Sequence, residues 1–167
     1  MSMSSWTTSA YGVRENDINI IQMSSVWPIF TAIQTADNKE GLMWELREFC
    51  KAENVSEDEL SDDNKDDFIT EYYEKMTKMY IPDARAAVLA DLIARNLRIN
   101  FNDIIMEEND DGGMIVGIGL YYPWNMPEPL KNATEEDYET AFINAYALFG
   151  IDGHSCYIEE QTMENWG

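Results

Sequence analysis

The 167-residue chain carries 11 lysines and arginines against 32 aspartates and glutamates, a formal net charge of −21 with a pI near 4.1. Its length suits one domain, and a 45% hydrophobic, 12% aromatic composition supplies core material, which excludes an acidic disordered chain. The charge opposes direct binding to nucleic acid or to an anionic membrane and selects a basic counterpart.

In chain order, residues 1–10 read as a polar, mobile N-terminal arm, and residues 11–167 as a single globular domain. The arm lacks the basic and apolar regions of a signal peptide. From Glu15 to about Ala36 the apolar spacing is helical, and Pro28 predicts the first turn of a second helix there. Leu42, Leu46, Phe49 and Cys50 follow at i, i+4, i+7 and i+8, an amphipathic helix beginning after Gly41. A further helix is expected from about Asp63 to Tyr80. The next, "IPDARAAVLADLIARNLRI", has Pro82 at its first position and is apolar nearly all round, as a buried central helix is. Asp91 and Arg95 form an i, i+4 pair within it.

Residues 103–122 change character, reading as strand, Asp-Gly-Gly turn and strand. Gly117 and Gly119 share one face of the second strand, which predicts a helix packed close against it. "YYPWNMPEP" is a proline-stiffened loop. Thr134 caps a helix with the stripe Tyr138, Phe142, Ala145 and Phe149, ended by Gly150. "HSCYIEEQ" predicts a third strand. The fold class is therefore α+β: an N-terminal helical layer followed by a small β-β-α-β portion.

No catalytic motif accompanies these elements. Ser56 to Glu74 holds nine carboxylates and one lysine, but it is no EF-hand: counted from Asp62, the sixth position is Asp67 rather than glycine. Counted from Glu107 the glycine fits, yet the twelfth residue is Ile118. "GGMIVGIG" lacks both the spacing and the strand-to-helix setting of a dinucleotide loop. His154 and Cys156 have no second ligand pair nearby, so neither metal nor cofactor is expected. Cys50 and Cys156 read as reduced core thiols of a cytoplasmic protein.

Placed on a helical wheel, the acidic stretch separates into two faces. Phe68, Ile69, Tyr72, Tyr73, Met76, Met79 and Tyr80 fall on one side; Asp63, Asp66, Asp67, Glu71 and Glu74 fall on the other. Glu71–Lys75 and Glu74–Lys78 are candidate ion pairs, whereas Asp63–Asp67 and Asp67–Glu71 repel. Further along, residues 99–167 contain fourteen acids and one base, with a second cluster at Glu107, Glu108, Asp110 and Asp111. Solubility alone needs a net charge of only ~2–8. Five acids over one helix face approach roughly half the charge density of duplex DNA.

Three short words, "SSWTTSAYG", "ARAAVLADLIA" and "YYPW" followed by "ATEEDYETAF", together with the acidity, resemble small proteins of phages and mobile elements. Some members of that pool block host defence nucleases, as anti-CRISPR and anti-restriction proteins do, often through acidic surfaces that imitate nucleic acid. The resemblance implies an inhibitor and transfers no active residues, since none of the words is a functional motif.

The expectation is a non-enzymatic protein that binds and inhibits a basic nucleic-acid-handling protein. Its partner-binding residues are Asp63, Asp66, Asp67, Glu71, Glu74, Glu107, Glu108, Asp110 and Asp111. Tyr121, Tyr122 and Trp124 on the "YYPW" loop are aromatic anchors or a lid on the core. Two alternatives stand beside it: an assembly protein using that loop, and a small enzyme or ligand-binding protein with a carboxylate-lined pocket between helices and sheet. The oligomeric state is open.

Overall fold

The computed structural model describes residues 5–119 and 124–166. It is a mixed helix-and-strand fold of the α+β class with one four-stranded antiparallel sheet. The first element overturns an expectation. Ser5–Arg14 is strand β1, rich in the Thr, Trp, Tyr and Val side chains that suit a pleated surface. The mobile arm expected for residues 1–10 is therefore strand from Ser5 onward, with Ala10 and Val13 fully buried.

A short helix α1 (Glu15–Asn19) leads into α2 (Met23–Glu53). Pro28 lies inside α2 rather than in the first turn of a helix, and the break expected between about Ala36 and Gly41 comes at Asn38, whose backbone leaves helical geometry (φ −157, ψ 79). The Asn38 side chain accepts a hydrogen bond from the Gly41 N–H at 3.1 Å, capping the second half of α2. A capping asparagine, not proline, sets this boundary.

Helix α3 (Asp62–Thr77) stops three residues before the expected Tyr80. The Thr77 hydroxyl bonds back to the Tyr73 carbonyl at 2.7 Å and accepts from the Met79 N–H, while Lys78 takes the left-handed C-cap position (φ 57). Helix α4 (Ala84–Leu97) starts after Pro82, because Asp83 accepts from the Arg85 N–H at 2.6 Å and acts as the N-cap. Every residue from Ala86 to Ala94 is buried, as a helix apolar nearly all round requires. Its alanines let α2, α3, α5 and two strands approach the same central rod.

The hairpin of β2 (Ile104–Glu108) and β3 (Met114–Gly119) forms where expected. Gly112 supplies the positive φ of 83°, and the Asn109 side chain accepts from the Gly113 N–H at 2.8 Å. Helix α5 (Glu135–Leu148) follows, with a capping box between Thr134 and Asp137 and Gly150 at φ 76 as its stop. Strand β4 (Glu159–Trp166) begins later than the expected third strand, since Gly153–Ser155 is a 3₁₀ turn held by the Asp152 side chain.

The sheet order is β2-β3-β1-β4, so the N-terminal strand sits between the hairpin and the last strand. The order expected from the sequence, helices and then β-β-α-β, lacked this strand. Gly12 of β1 pairs with Gly117 of β3. A Cβ on Gly12 would stand 2.0 Å from the Val116 carbonyl oxygen, and one on Gly117 would stand 2.6 Å from the Tyr11 oxygen. The close neighbour of Gly117 is thus a strand, not the helix anticipated.

Candidate functional site

Helix α3 carries the densest acids. Ser61 caps it, accepting from the Asn64 N–H at 3.2 Å, and carboxylates in the first turn complement the positive end of the helix dipole. Phe68, Ile69 and Tyr73 anchor the opposite face in the core. Asp63, Asp67 and Glu71 are exposed, while Asp66 and Glu74 are half-buried. Met76 and Tyr80, expected on the apolar side, are 61% and 69% exposed.

The neighbouring lysines are engaged elsewhere. Lys65 lies over the Trp27 ring at 5.6 Å, and Lys75 pairs across to Glu45 of α2 at 2.8 Å rather than with Glu71. Glu74 accepts from the Ile81 N–H at 3.4 Å rather than pairing with Lys78. The acidic face therefore keeps its charge, and that charge is felt. Burial and then Asp83 push the Asp66 carboxyl up to about 6, although the Ala84 N–H donates to it. Burial, followed by Asp67, Glu53 and Glu74, also raises Glu71.

Between the start of α3 and residues 19–24 lies an open cleft of about 700 Å³, flanked by Asp62, Asp63, Asp66, Asp67 and Arg85. Among the described residues, Arg85 Nε is the one buried side-chain nitrogen without a hydrogen-bond partner. No three metal-ligating side chains converge there or elsewhere among the described residues.

The second cluster, Glu107, Glu108, Asp110 and Asp111, is exposed on the hairpin. Tyr80 links it to α3. Its hydroxyl donates to Glu108 at 3.4 Å, and Glu108 first, then burial, then Glu74 push the phenol up. With the adjacent Ile81 N–H donating to Glu74, residues 80–81 touch a carboxylate of α3 and one of β2, joining the C-terminal end of the first cluster to the second. Sequence reasoning assigned Tyr80 to the core; its place after the helix stop at Thr77 was the missed signal.

A third group of acids acts on Tyr11, whose ring lies tilted at 53° against Tyr138 with centroids 5.7 Å apart. Burial first, then Glu139, Glu135 and Glu159, raise its phenol, so carboxylates of α5 and β4 also gather on one part of the surface. Trp124 is 81% exposed, which rules out its capping the core; Tyr121 and Tyr122 lie outside the described residues. His154 is exposed beside Asp152 at 3.0 Å, and Cys156 packs elsewhere, against Asp17 and Tyr146. Burial first, then Asp17, push the Cys156 thiol up to about 11, an unreactive setting.

The interior holds an arrangement that periodicity could not reveal. Asp91 of α4 accepts from the Tyr73 hydroxyl at 2.6 Å, from Gln34 Nε2 at 3.2 Å and from Arg95 Nε at 2.8 Å. Arg95 also binds Asp37, which holds the Asp37 carboxyl below its usual range. This network ties α2, α3 and α4 together.

No protein-family model, curated protein or solved structure matches the chain. Among the described residues, no helix is long and apolar enough to cross a membrane.

Proposed function

We propose that this protein is a non-enzymatic inhibitor that binds a basic nucleic-acid-handling protein, a CRISPR effector or restriction nuclease being the type of target. It presents carboxylates where that target expects phosphates. The observation that carries the reading is the Tyr80 junction: Tyr80 donates to Glu108 and the next residue, Ile81, donates its N–H to Glu74, so two adjacent residues touch both acidic clusters. A cationic channel built for a polyanion gains long-range attraction from such a band, steeply reduced by salt. A cytoplasmic location suits such a target and the two free cysteines.

The test is a pull-down from bacterial lysate with tagged protein, washed at low and high salt, with DNA or RNA added as competitor. A basic nucleic-acid enzyme retained at low salt, lost at high salt and displaced by nucleic acid supports the reading. No partner at low salt sinks it.

A second reading, an assembly protein, is favoured by the 81% exposure of Trp124. Concentration-dependent oligomerisation abolished by Trp124→Ala would select it.

A further inference from the structure

The second half of α2 and helix α3 enclose a groove of about 590 Å³, within the ~300–1,000 Å³ of clefts that hold ligands. Its floor is apolar: Phe49, Ala52, Phe68 and Tyr72, with Phe49 edge-on to Phe68 at 5.4 Å. Its walls are acidic, with Glu45, Glu48 and Glu53 on α2 and Glu71 and Glu74 on α3. Against these five stands one lining cation, Lys75, which already bridges the groove to Glu45 at 2.8 Å. That bridge shows how an ammonium seats between the helices. Among the described residues Glu53 and Glu71 have no ion-pair partner, and Glu53 is among the charges that raise Glu71.

We propose that this groove docks a basic amphipathic helix of the partner protein, its apolar face on the aromatic floor and its lysines or arginines against Glu53 and Glu71. An apolar channel between two helices is the geometry that receives a helix face, and charged walls select the flanking residues. A second copy of this chain is a poor occupant, because two surfaces of the same strong negative charge repel. The proposal deepens the inhibitor reading and rests on its premise of a basic partner. It adds a salt-resistant apolar anchor to a salt-sensitive acidic band.

The test uses fluorescence anisotropy with a ~16-residue peptide, long enough to form a helix on a surface, bearing leucine at helical spacing and arginine elsewhere. One control replaces leucine with serine; another replaces arginine with glutamate. Ala52 is exposed on the groove, so Ala52→Trp fills it without disturbing the core. Ala52→Trp is expected to weaken the leucine–arginine peptide by about tenfold and to leave the serine–arginine peptide unchanged. Glu53→Lys with Glu71→Lys is expected to weaken both arginine peptides and to lower the salt dependence. If the leucine–arginine peptide fails to bind, ignores Ala52→Trp, or binds no better than its serine control, the groove proposal falls. A parallel Asp63→Asn, Asp67→Asn variant in the lysate pull-down reports on the acidic band alone. Loss of the captured enzyme there, with no effect of Ala52→Trp on the peptide, overturns the groove and leaves the inhibitor reading standing.

Discussion

The Tyr73 hydroxyl donates to the Asp91 carboxylate at 2.6 Å deep between α3 and α4, where Tyr73 is 2% and Asp91 6% exposed. Gln34 completes the set by donating to both. A buried carboxylate is tolerated only when its lone pairs are occupied, so each donor matters. Tyr73→Phe is expected to lower stability by about 1–3 kcal/mol. Asp91→Ala, which strands two buried donors and half of Arg95, is expected to lower it by about 3–5 kcal/mol. Urea unfolding followed by circular dichroism checks both; equal, negligible losses would show that the network contributes no stability.

Asp66 provides a pH dependence with a definite sign. Its carboxyl is raised in the folded protein to about 6, above its unfolded value near 4. Protonation therefore favours the fold, and that stabilisation, present below about pH 4, fades as pH rises through 6. Asp66→Asn removes the penalty. The variant is expected to melt slightly higher than the parent at pH 8, by less than about 1 kcal/mol given solvent screening. The difference should vanish at pH 4. A variant less stable at pH 8 would contradict the assignment.

The Gly12–Gly117 pair is expected to be intolerant of any side chain. Gly117→Ala puts a methyl 2.6 Å from the Tyr11 oxygen, and the backbone of a central strand has nowhere to shift. The expected cost is about 1–3 kcal/mol or more, read as a lowered melting temperature. Gly112→Ala tests a different mechanism, since open space surrounds it and only its φ of 83° resists a side chain.

For binding, converting Asp63, Asp66, Asp67, Glu71 and Glu74 to lysine is expected to weaken partner capture at least about tenfold and to flatten its salt dependence. Capture that survives the reversal would remove α3 from the interface. Tyr80→Phe keeps every charge and loses only the bond to Glu108, so it should change capture little.

How much of this could be read from the residues alone follows from the range of each interaction. The α4 rod, the hairpin and the Thr134-capped helix were legible because alanine-rich apolar runs, glycine turns and capping boxes act locally. The acidic face of α3 was legible for the same reason, as one period of one helix. Strand β1 was not, since its polar composition gains meaning only beside β3 and β4. The break at Asn38 was legible too, lying between the run that ends about Ala36 and the helix that begins after Gly41; what the residues did not show is that Pro28 is carried inside α2. The Tyr80 junction and the Lys75–Glu45 bridge are contacts across elements, and no spacing rule foretells which of several carboxylates a lysine meets.

The central position of β1 has a consequence in time. The hydrogen bond between its Ser9 and Thr162 of β4 joins residues 153 positions apart. At synthesis rates of about 5–20 residues per second, a strand made first waits roughly 8–30 s for its last neighbour. β3 is made earlier and covers one edge, so the edge that receives β4 stays open longest, while the helices already have one another to pack on. Sheet closure is then the late, slow event of maturation, and the newborn chain is most exposed to wrong pairing before its C-terminal strand arrives.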